Sequence, residues 1–80
     1  MTDSEILDGV RSVARLHLDL EGELGPETRL VEDLELDSLK ALTLAVEVEN
    51  HFKVRLDPEV ESKIATVGDL VAAIRSKLGG

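Results

Sequence analysis

The sequence has no cysteine, tryptophan or tyrosine, and among its 80 residues only one phenylalanine, Phe52. Without cysteine it has no disulfide framework and no thiolate metal site. The absence suits a reducing compartment, and the expected location is cytoplasmic. With a single aromatic ring it lacks the stacking platform that binds unpaired bases. Cations are scarce as well: nine Lys and Arg stand against seventeen Asp and Glu, for a net charge of −8. Nucleic acids and anionic bilayers call for a face of the opposite sign, so neither is an expected partner. No run approaches the roughly 18 apolar residues of a membrane span. The opening Met1-Thr2-Asp3-Ser4-Glu5 is acidic and polar, without the basic and apolar segments of a signal peptide. Length is a further limit. Residues 1–80 form one domain that buries only about 60 % of its unfolded surface, which leaves little room for a walled catalytic pocket. The expectation is a monomer that is not an enzyme and has no catalytic residues of its own.

What is present is helical periodicity. Ile6, Leu7, Val10, Val13, Ala14 and Leu18 recur at helical spacing, with Asp3 and Glu5 at the start and Arg11 and Arg15 toward the end, as the helix dipole favours. This predicts a helix from about Asp3 to Leu18. Gly22 and Gly25-Pro26 then signal turns. The stretch from Asp19 to Asp37 is the most acidic of the chain. It also carries Leu24, Leu30, Val31, Leu34 and Leu36, too many apolar residues for a solvated loop, so it is expected to be pinned to the core. A second helix is predicted over Ser38–His51, with Asp37 and Ser38 both suited to its N-cap and Phe52 closing it. Asp57-Pro58-Glu59 starts a short third helix, about Pro58 to Ser62. Thr66-Val67-Gly68-Asp69 reads as a capping box with aspartate in the glutamate position. The stripe Val67, Leu70, Val71, Ile74 and Leu78 then predicts a last helix, with Gly79 as its cap. The fold class is all-α: a four-helix bundle of three main helices, one short helix and a long first loop.

The stretch that points to chemistry is Leu34-Glu35-Leu36-Asp37-Ser38-Leu39. It places a serine where a long loop enters a helix. The first N–H groups of that helix lack internal partners and carry partial positive charge. A phosphate ester on such a serine sits in a favourable field. On the tripeptide Asp37-Ser38-Leu39 alone, a plain helix cap is the favoured reading.

The surrounding pattern separates the two readings. Val31-Glu32-Asp33-Leu34, then Asp37-Ser38-Leu39, then a helix ending Glu49-Asn50-His51-Phe52, then Ile64 and Thr66-Val67-Gly68-Asp69-Leu70 together resemble the acyl carrier protein family, which includes peptidyl carrier domains. The resemblance covers almost the whole chain. It implies that Ser38 accepts 4′-phosphopantetheine from coenzyme A through a phosphopantetheinyl transferase that uses magnesium. The terminal thiol of the arm then holds an acyl or aminoacyl group as a thioester. Partners implied are this transferase and, transiently, acyl- or aminoacyl-loading and acyl-processing enzymes. By position, the partner-facing residues implied are Asp37, Leu39 and Val46 at the second helix, with Leu56 nearby; the apolar ones also read as under-buried core, and for Val46 the two readings are equal. The faces bearing Val10, Leu42, Ala45, Ile64 and Leu70 are expected to part slightly to shelter a chain.

Three positions depart from the family pattern. Glu35 stands where glycine is frequent. Lys40 and Thr43 stand where fatty-acid carriers are usually acidic. These departures point to a specialised lipid, polyketide or related pathway rather than housekeeping fatty acid biosynthesis. A different class remains open: an unmodified helical interaction module of the same fold. Other motifs fail on their spacing. Asp33 to Asp37 alternates acids like a calcium loop, but Ser38 and Leu44 occupy the glycine and glutamate positions of an EF-hand. Ser38 lacks the Gly-x-Ser-x-Gly frame of a hydrolase. His17 and His51 lie on different helices and read as surface residues, so no metal site is expected. Gly79-Gly80 resembles a ubiquitin-like tail, but helical stripes stand where that fold needs strands.

Overall fold

Thr2 opens the first helix. In the structure, a computed structural model that describes residues 2–20 and 24–79, its hydroxyl accepts from Glu5 N at 3.2 Å and Glu5 Oε1 accepts from Thr2 N at 2.9 Å. The turn expected at Gly22, the acids Glu21 and Glu23, and the terminal Met1 and Gly80 lie outside the described residues. The helix, α1 (Asp3–Leu18), has the expected bounds, and its capping box supplies a start signal beyond the charge pattern. α2 (Ser38–Phe52) runs one residue further than expected. α3 (Pro58–Glu61) stops one short, with Ser62 as its C-cap. Asp57 does not cap α3 with its side chain, which accepts instead from Lys77 Nζ at 3.4 Å. α4 (Val67–Lys77) follows, and Gly79 lies just beyond it at φ 84°, the left-handed stop that glycine provides.

α1 packs against both α2 and α4. The side chains shut away from water are Ile6, Val10, Val13, Ala14, Val48, Val67 and Ile74, at 2 % exposure or less. Phe52, the one ring, closes the α1–α2 side of this core. It reaches it because Gly9 leaves α1 bare there: a Cβ on Gly9 would collide with the ring.

The long acidic loop is pinned, as its leucines imply. Leu24 and Leu36 are buried, whereas Val31 faces solvent at 68 % exposure. Arg11 Nε donates to Leu24 O at 2.8 Å and holds the loop to α1. At its far side an antiparallel bridge joins Arg29 to Thr66, with Leu30 N donating to Ala65 O at 3.0 Å and Val67 N to Thr28 O at 2.9 Å. Gly68 N extends the strap by donating to Pro26 O at 2.8 Å. That approach requires glycine, because a Cβ there would stand 2.8 Å from the same carbonyl. The loop thus hangs from the start of α4 and delivers the chain to α2.

The capping box at Thr66 forms as expected. Asp69 Oδ2 accepts from Ala65 N at 3.0 Å and Thr66 N at 3.1 Å, and these donors hold its carboxyl below the usual carboxylate range. The folded state therefore takes up this proton less readily than the unfolded chain. The contribution is in place above the ordinary carboxylate range and is lost as pH falls through the lowered value. Asp69→Asn should lower Tm near neutrality, and the gap to wild type should narrow toward about pH 2. Thermal melts across that range check this, and a constant gap would mean that the charge plays no part.

Candidate functional site: a serine at the mouth of an apolar cleft

Whether Ser38 caps α2 is decided by its neighbour. Asp37 is the N-cap residue: its backbone is extended, and its Oδ1 accepts from Lys40 N at 2.8 Å while its carbonyl accepts from Ala41 N at 2.9 Å. Ser38 is the first helical residue and is exposed. Its hydroxyl has no protein hydrogen bond among the described residues, and neither do the N–H groups of Ser38 and Leu39. A solvent-facing hydroxyl with no structural duty thus stands beside two free N–H donors at the positive end of a 15-residue helix.

The loop sets this geometry at some cost in strain. Glu35 sits at φ 54°, in the left-handed region that glycine occupies freely. Glu35→Gly should stabilise the fold by about 1 kcal/mol, the left-handed penalty less the extra chain entropy of glycine. Urea denaturation measures it, and a loss of stability would contradict the strain.

From Ser38 a cleft of about 270 Å³ runs inward, lined by Leu42, Ala45, Leu56, Ile64 and Leu70. Four of the five residues expected to shelter a chain are here. Val10 is not: it is packed in the core at 1 % exposure. The volume lies just under the roughly 300–1,000 Å³ of small-molecule pockets, which suits part of a chain rather than a long one.

The expected partner-facing residues do not all share one surface. Leu39 (71 % exposed) and Val46 (42 %) face solvent on α2, and Leu42 (57 %) joins them. Asp37 is exposed at the helix start while its carboxylate serves the cap. Leu56 corrects the expectation: it is 4 % exposed and lines the cleft. Its N–H donates to Glu49 Oε2 at 2.7 Å, which ties the α2–α3 link to α2 and turns the leucine inward. His17 is exposed, and its Nδ1 lies 2.9 Å from Glu47 Oε2 across the α1–α2 contact. No cluster of three potential metal ligands occurs among the described residues, and no described helix is long and apolar enough to cross a membrane.

A small helical bundle with a free serine at a helix start and an apolar cleft behind it suits a protein that carries a group on that serine. The family model for the phosphopantetheine attachment site matches residues 5–74. Acyl carrier protein 2 of Ralstonia nicotianae is 35 % identical over 79 residues, covering 98 % of each chain. An acyl carrier protein of Thermotoga maritima is 38 % identical over 76 residues, 94 % of each. Among solved structures, a candidate acyl carrier protein of Mycobacterium tuberculosis matches with a TM-score of 0.83 at 25 % identity, covering 89 % of this chain and 96 % of that one. The chain belongs to the acyl carrier protein family, whose members carry a covalently attached phosphopantetheine and are not enzymes.

Proposed function

We propose that Ser38 carries the 4′-phosphopantetheine arm and that this single domain delivers acyl or aminoacyl intermediates to successive enzymes of a specialised lipid, polyketide or related pathway. The observation that carries the assignment is the Ser38 hydroxyl, exposed and free of any duty in the fold, at the mouth of the apolar cleft. The residues suit the group. Ser38 Oγ offers the point of attachment, and the Ser38 and Leu39 N–H groups, with the α2 dipole behind them, favour a phosphodiester there. The arm, when bound, supplies the thiol that holds the cargo as a thioester. Leu42, Ala45, Ile64 and Leu70 offer an apolar lining for the first part of that cargo. Delivery is physical: a tethered intermediate reaches each docked active site at high effective concentration. The carrier has to leave each enzyme, so its contacts are small and brief, and it works as a monomer in the cytoplasm. Lys40 and Thr43 on α2 support a specialised pathway, because enzymes adapted to an acidic helix meet a cation instead.

The test is loading. Incubation with coenzyme A, magnesium and a broad-specificity phosphopantetheinyl transferase should add the mass of one phosphopantetheine to the intact protein. A chain that stays unmodified would instead be a helical interaction module of the same fold.

A further inference from the structure

Ten residues line the cleft that opens at Ser38, and eight of them are apolar. Ser38 stands at the mouth. The tenth is Glu61, the only ionisable residue in the wall. Its backbone fixes it there. Glu61 ends α3; its N–H donates to Asp57 O at 2.9 Å, and its carbonyl accepts from Ile64 N at 3.1 Å. Ile64 lines the same cleft, so the turn that seats the isoleucine in the wall also seats the glutamate.

Glu61 is half-buried, and its carboxylate enters no ion pair among the described residues. No side-chain oxygen of a half-buried described residue is both sealed from water and unpartnered, so solvent reaches this carboxylate. The charges around it leave it so. Lys63, two residues on, is exposed, does not line the cleft and does not pair with it. The other acids at α3, Asp57 and Glu59, are exposed and line no part of the cleft, and Asp57 is turned to Lys77.

A carboxylate without a protein partner changes what an apolar wall accepts. A saturated chain laid against it displaces water from the charge and returns no partner. A chain with a hydroxyl or an ammonium group puts a donor in place of that water, and hydrogen bonds to a charged group are the stronger kind. We infer that Glu61 makes the cleft selective for acyl groups that bear a hydrogen-bond donor, hydroxyacyl or aminoacyl, over saturated chains of the same length. The inference rests on the carrier role of Ser38. Apolar burial alone gives the opposite order, because the saturated chain gains more by leaving water. A reversal of that order is therefore the mark of Glu61.

The experiment loads the protein from acyl-coenzyme A probes with a broad-specificity transferase, and intact mass shows one acyl-phosphopantetheine per chain. The probes are octanoyl, 3-hydroxyoctanoyl, 8-hydroxyoctanoyl and 8-aminooctanoyl. The Tm of each acyl form is read against the holo form of the same variant, so a purely structural effect of the substitution cancels. In wild type the best donor-bearing probe should raise Tm by about 4 °C more than octanoyl does. A gain confined to the hydroxyl probes assigns hydroxyacyl cargo, and one confined to the ammonium probe assigns aminoacyl cargo. Glu61→Gln keeps an acceptor without the charge, so a hydroxyl preference should remain and an ammonium preference should go. Glu61→Leu removes both, and octanoyl should become the most stabilising probe. Octanoyl matching every donor-bearing probe in wild type, or a donor preference that survives Glu61→Leu, would overturn the inference and leave the carrier role standing. Absence of loading would overturn both.

Discussion

Ser38→Ala should gain no phosphopantetheine and still fold as the wild type does. The two halves of this result come from separate features. Loading needs a hydroxyl at this position, and alanine has none, so the mass gain should vanish completely. Stability needs the α2 cap, and Asp37 supplies it through the 2.8 Å bond to Lys40 N. Ser38 is already inside the helix, where alanine is the better helix former, and its side chain is exposed. The change should therefore move stability by no more than about 0.5 kcal/mol, as for other exposed sites. Asp37→Ala is the contrasting variant. It removes the cap and should cost about 1 kcal/mol. Intact mass and urea denaturation on both variants separate the chemistry from the capping. A Ser38→Ala protein that loaded as readily as wild type would place the arm elsewhere. One that lost more than about 1 kcal/mol would show a structural role for the hydroxyl.

The helices were legible because their signals are local. Asp3 to Leu18, the Pro58 start and the Thr66 capping box each depend on residues within a turn of one another, and each appears where the pattern places it. The errors arise where a distant partner decides. Asp57 has the makings of a cap, but Lys77, 20 residues away, takes its carboxylate. Val31 and Leu36 read alike in the loop, yet one faces solvent and the other is buried, because the Arg29–Thr66 strap fixes which way the segment turns. Nothing near position 31 encodes that strap.

The site divides in the same way. The proposal of Ser38 comes from its spacing to the motifs on either side, and four of the five cleft residues followed from helical faces. Leu56 was not, because its direction depends on Glu49 capturing its N–H across seven residues. Glu35 was visible as a departure, but its cause, a left-handed backbone just before the helix, needs the dihedral angle. The engagement of Glu47 and Glu49 was equally hidden. A count of charges on α2 treats them as surface acids, whereas Glu47 faces His17 of α1 and Glu49 accepts from Leu56 N.

The most severe stability effect is expected at Phe52. It is the only aromatic side chain in a core otherwise made of aliphatic residues, and it is 7 % exposed. Its ring lies over Gly9 of α1 and meets the edge of His51 at 4.8 Å and 73°. Phe52→Ala should cost about 3–5 kcal/mol, the usual price of an emptied aromatic site. A domain of this size holds only about 4–12 kcal/mol in total, so the variant should be close to unfolding at room temperature. The glycine beneath the ring allows a sharper test. Alone, Gly9→Ala gains about 1 kcal/mol in helix propensity, but its methyl group collides with the ring, an overpacking that costs about 1–3 kcal/mol. With Phe52→Leu the ring is gone and the methyl group has space to fill. The double variant G9A/F52L should therefore be more stable than the two single changes added together, by about 1 kcal/mol or more, as expected for residues in contact. Urea denaturation of the four proteins gives this coupling directly. Additivity within about 0.5 kcal/mol would mean that ring and glycine do not touch, and that α1 and α2 pack on some other contact.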